Sequence, residues 1–70
     1  MTTILVCLVS ATGTQTVGVI YHRAFAIEFA KMVSKSYKDQ TIVAYDITDG
    51  PETKIGEFMN GKQTLVQVRV

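Results

Sequence analysis

Tryptophan is absent from this chain, and cysteine, proline and histidine each occur once. With Cys7 as the only thiol, no internal disulfide can staple the fold, and a reducing cytoplasm is the compartment that fits. His22 has no second histidine or cysteine near it in sequence, so it reads as a boundary residue ahead of a helix rather than a ligand or catalytic base. Long apolar runs are missing too. The most apolar stretch, Ile4 to Val9, is six residues against the roughly 20 that span a bilayer, and no basic residue precedes it as a secretory signal requires. Charge of one sign is also scarce: seven basic and six acidic residues leave a net charge of +1. That is too weak a field for the non-specific binding of nucleic acid. We expect no membrane partner, and nucleic acid is an unsupported one.

What is present points to a globule. Apolar residues make up 47% of the 70 and charged ones 19%, which favours folding over disorder. Seventy residues allow one compact domain, 1–70, and a chain of this size buries only about 60% of its unfolded surface. Ile4 to Val9 is apolar on both faces, as in a central strand. Ala11 to Gln15 has the composition of a hairpin loop. Thr16 to Tyr21 follows as a second strand with Val17, Val19 and Tyr21 on one face. From Arg23 to Lys38 the period becomes helical, with Phe25, Phe29, Val33 and Tyr37 expected to face the sheet. Thr41 to Ile47, Lys54 to Met59 and Gln63 to Val70 read as strands separated by the turns Asp49-Gly50-Pro51 and Asn60-Gly61. The expected fold is α+β: an antiparallel sheet of four or five strands, β-β-α-β-β with a further strand, covered on one face by one helix.

Four groups of residues invite a chemical reading. On the outer helix face Lys31, Lys35 and Lys38 form the one concentrated charge feature, a solvated stripe that can also dock on an acidic surface. Asp46, Asp49, Glu52 and Glu57 cluster around a turn, but their spacing lacks the alternating oxygen ligands of a calcium loop. Cys7 lies within an apolar strand and behaves there as a small hydrophobe. No nucleophile, general base or metal set stands at workable spacing, so no catalytic residue is assigned.

The fourth group is the loop after the first strand. Ile4-Leu-Val-Cys-Leu-Val-Ser-Ala-Thr-Gly-Thr-Gln resembles the first strand and phosphate loop of flavodoxins, with Ser10, Thr12, Gly13 and Thr14 on the matching positions. That resemblance implies an anion-binding loop for flavin mononucleotide, FMN, and a redox function. Gln15 and Leu8 depart from the pattern, and the helix that should open behind the loop comes about ten residues late. The loops that would sandwich the flavin ring have no counterpart. A hairpin loop without cofactor is the preferred reading, with FMN or a sequestered nucleotide or anion as the alternatives.

At the level of size, element order and the Tyr45-Asp46…Asn60-Gly61 hairpin, the whole chain resembles the small orphan accessory proteins of bacteriophages. This resemblance implies a non-enzymatic binder, acting as an inhibitor or accessory factor on a host or viral protein in the host cytoplasm. Without a disulfide, and with an apolar fraction larger than one helix covers, a homodimer is expected through the C-terminal run Leu65 to Val70.

Overall fold

The computed structural model describes residues 2–66. Strand β1 spans Ile4–Ser10 and β2 Gly13–Ile20; helix α1 spans Arg23–Ser36; β3, β4 and β5 span Thr41–Asp46, Thr53–Met59 and Lys62–Val66. The strands form one open sheet in the order β2-β1-β3-β4-β5, antiparallel throughout. The helix packs on one face. This is the expected α+β architecture, with β1 inside the sheet as its apolar run requires. The first hairpin is tighter than its composition suggested, because only Ala11 and Thr12 separate the Ser10–Gly13 pair. Of the expected final strand, residues 67–70 lie outside the described residues.

The core between helix and sheet is built chiefly by the strands. Ile4, Val6, Ile42, Ala44, Ile55 and Phe58 contribute from the sheet, and the helix adds Ala26 and Ala30. Ser34 continues the same helical line and is wholly buried. Small residues at successive i, i+4 positions let the helix lie close to the sheet, where bulky strand residues such as Phe58 fill the space. The expectation that Phe25 faces the sheet is therefore corrected: it is 69% exposed. One position before Ala26, it sits about 100° around the helix from the buried line. Phe29, Val33 and Tyr37 flank that line and are half-buried.

Among the described residues three bulges interrupt the ladders, in β2, β4 and, at Thr64, in β5, and the first two revise the strand faces. Val6 pairs with Gly18 and Cys7 with Thr16, so Val17 is an extra residue in β2. Val17 packs against the core while Val19 is exposed, so the expected single face of Val17, Val19 and Tyr21 does not form; a bulge resets the alternation. In β4, Ile55 is the extra residue between the Ala44–Gly56 and Tyr45–Lys54 pairs. Lys54 and Glu57 thereby meet, with Nζ 3.0 Å from Oε2. Gly18 has a separate role. A Cβ there would lie 2.6 Å from Cε2 of Phe29, so the missing side chain is the notch that receives this ring.

Candidate functional site

Helix α1 turns an apolar and cationic face to solvent. Phe25 and Met32, seven residues apart, are 69% and 61% exposed and lie on one side of the helix. With Ile20 and Phe29 they line a shallow groove of about 650 Å³, bordered by Glu28, Lys31 and Lys35. Large apolar side chains grouped at the surface mark interaction sites more often than single ones do. At the start of the groove His22 packs its ring against Phe25, centroids 5.1 Å apart. Tyr21, 63% exposed, stands beside it in sequence.

Lys31 and Lys35 border the groove, whereas Lys38 lies beyond the helix end and does not line it. Among the described residues none of the three forms an ion pair; the pairs present join Arg23 to Asp46 at 3.9 Å and Lys54 to Glu57 at 3.0 Å. Lys35 rests its aliphatic stem on Gly61, where an added Cβ would come within 2.8 Å of its Cγ. The stem is thus held over an apolar floor while the ammonium reaches water.

A polar clasp fixes that floor. Asn60 and Gly61 have φ of 53° and 84° and join Met59 to Lys62, as a two-residue turn with both central residues left-handed demands. The Gly61 N–H donates to Ser34 Oγ at 2.8 Å, and the Ser34 hydroxyl donates to the Lys31 carbonyl at 2.7 Å. Asp39, itself left-handed at φ 61°, donates its N–H to Asn60 Oδ1 at 2.9 Å and accepts from Asn60 Nδ2 at 3.1 Å. Sequence marks Asn60-Gly61 as a turn but gives Ser34 and Asp39 no role and does not join the three. The small-residue line Ala26, Ala30, Ser34 and the Asn-Gly dipeptide were the available signals.

The loop residues Ser10, Thr12, Gly13 and Thr14 do come together, around a polar hollow of about 180 Å³. The Ser10 and Thr12 hydroxyls are turned on the loop itself: Ser10 Oγ lies 3.1 Å from Thr12 Oγ1 and donates to the Gly13 carbonyl at 3.2 Å. The next element is β2, antiparallel to β1, and the helix begins only at Arg23. The helix N-terminus that the flavodoxin resemblance implies directly behind this loop is therefore not there.

Two of the acidic residues near the β3–β4 connection, Asp46 and Glu57, have local partners. Asp46 accepts the Thr48 N–H at 2.8 Å, and Thr48 Oγ1 accepts the Thr3 N–H at 3.0 Å. The Thr48 hydroxyl and N–H, with Arg23 adding a smaller effect, hold the Asp46 carboxyl below the ordinary carboxylate range. Glu57 raises the pKa of Lys54 through their hydrogen bond and charge. Among the described residues no three His, Cys, Asp or Glu side chains are grouped to hold a metal ion, and no helix is long and apolar enough to cross a membrane. Compared with known proteins, the chain matches no family profile, no curated protein and no solved structure.

Proposed function

We propose that this is a non-catalytic binding protein that docks through the groove on α1 onto a partner protein. The occupant is an acidic segment carrying apolar side chains. The observation that carries this reading is the exposure of Phe25 and Met32 beside two lysines without an intramolecular ion-pair partner among the described residues. Aromatic and methionine side chains serve as anchors, and rim cations steer an anionic partner and set the encounter rate. Size, element order and the Tyr45-Asp46…Asn60-Gly61 hairpin favour an accessory or inhibitor protein of the bacteriophage type, directed at a host or viral protein in the host cytoplasm. Self-association through the outer edge of β5 belongs to the same proposal.

The test is comparative. A protein captured from host extract is identified by mass spectrometry, purified, and titrated against the wild type, Phe25→Ala and the double variant Lys31→Glu/Lys35→Glu. Phe25→Ala is expected to weaken binding by more than about 1 kcal/mol. The double variant should associate more slowly and with less salt dependence. Equal binding by all three proteins would remove the groove from the interface. A yellow preparation, or turnover of a nucleotide or flavin substrate, would overturn the non-catalytic reading.

A further inference from the structure

The Asn60-Gly61 turn carries a reaction as well as a shape. In an Asn-Gly sequence the glycine nitrogen is unshielded by a side chain and can attack the preceding Asn Cγ. The new N–Cγ bond closes a succinimide, the Cγ–Nδ2 bond breaks, and ammonia leaves with the proton given up by the glycine nitrogen. Water then opens either carbonyl, leaving aspartate or isoaspartate. Water is the only co-reactant. Asn60 is exposed, so water and base can reach it.

The native bonds oppose each requirement of this cyclisation. The attacking nitrogen, Gly61 N, is committed to Ser34 Oγ at 2.8 Å, and Ser34 is wholly buried with its own proton directed to the Lys31 carbonyl. Both ends of the Asn60 amide are bound to Asp39, which holds Cγ toward Asp39 and the leaving nitrogen in place. We propose that Asn60 is a latent deamidation site, guarded by Ser34 and Asp39, that reacts when the tip of the β4–β5 hairpin lifts from the end of α1. The product does not close again. A carboxylate at position 60 has no N–H to offer the Asp39 carboxylate and faces it with like charge. Isoaspartate also inserts a backbone carbon into a turn built for two residues.

This inference is independent of the docking proposal. The full chain is incubated at mildly alkaline pH, folded or in concentrated urea, with Ser34→Ala and Asp39→Gly in parallel. Intact mass and peptide mapping then read the gain of one mass unit at position 60. The folded wild type is expected to react at least about tenfold more slowly than the unfolded chain, because only molecules with the clasp open react. The two variants should fall between these rates. Asp39→Gly keeps the left-handed backbone at an exposed position, so it carries the comparison if Ser34→Ala does not fold. Wild type reacting as fast as the unfolded chain, or folded variants reacting no faster than wild type, would overturn the guard. An Asn60→Asp chain that melts at the wild-type temperature would overturn the one-way character.

Discussion

At the scale of single residues, Phe25 and Phe58 show what periodicity can and cannot locate. Both are aromatic, yet Phe58 is the largest wholly buried side chain among the described residues and Phe25 is 69% exposed. Replacing Phe58 with Ala is expected to cost about 3–5 kcal/mol, a large share of the roughly 5–15 kcal/mol that holds a domain together. Phe25→Ala should stay within about 0.5 kcal/mol. Urea denaturation of the two variants checks the contrast, and a Phe25→Ala loss like that of Phe58→Ala would put Phe25 back in the core. Sequence places both aromatics in amphipathic elements but does not say which side of the helical stripe is buried. Hydrophobicity favours the Phe25–Phe29 side. The close approach of helix to sheet selects the small line Ala26, Ala30, Ser34 instead.

At the scale of elements, strand positions were legible and strand faces were not. Gly, Asn, Asp and Pro marked the turns correctly because left-handed backbone at Gly50, Asn60 and Gly61 needs those residue types. The bulges at Val17 and Ile55 left no comparable mark, since a single extra residue alters register without altering composition. The segment after β3 offers a pH test. The Asp46 carboxyl is held below its ordinary value of 3.8 by the Thr48 hydroxyl and N–H, so folding favours its ionised form. The associated stability is present above the unfolded value and is lost as pH falls through the lower folded one. Melting temperature followed into acid should therefore decline less steeply in Thr48→Val than in the wild type. Identical acid profiles would show that this contact contributes nothing to the pH dependence.

At the scale of the whole molecule, two periods meeting at Arg23 and the hairpin signals sufficed for element order and fold class. The strand order was not legible: β1 pairs with both β2 and β3, and that choice is made by tertiary contacts between distant residues. The candidate site was half legible. Lys31 and Lys35 were visible as a charged face, but the groove needs the exposed Phe25 and Met32, which look in sequence like ordinary core. An open sheet also leaves β2 and β5 with unpaired edges. Both of these strands carry a bulge, at Val17 in β2 and at Thr64 in β5, which twists the edge locally. Light scattering at high concentration is expected to give about twice the 7.7 kDa of one chain through pairing at β5. A mass of 7.7 kDa across the concentration range would rule out the dimer.

The buried line of α1, two methyls and a hydroxyl, is smooth. Such a surface lets a helix lie close but gives little resistance to sliding along its axis or rolling about it. Two fixings supply that resistance: the Phe29 ring seated at Gly18 near one edge of the sheet, and Ser34 bonded to Gly61 at the other. A rod pinned at two separated points can neither translate nor pivot, whereas a rod pinned at one can swing. Loss of either fixing would weaken the hold on the helix against rotation in the plane of the sheet, a hold that the flanking Ile27, Val33 and Tyr37 share, and the groove of Phe25 and Met32 is carried on its back.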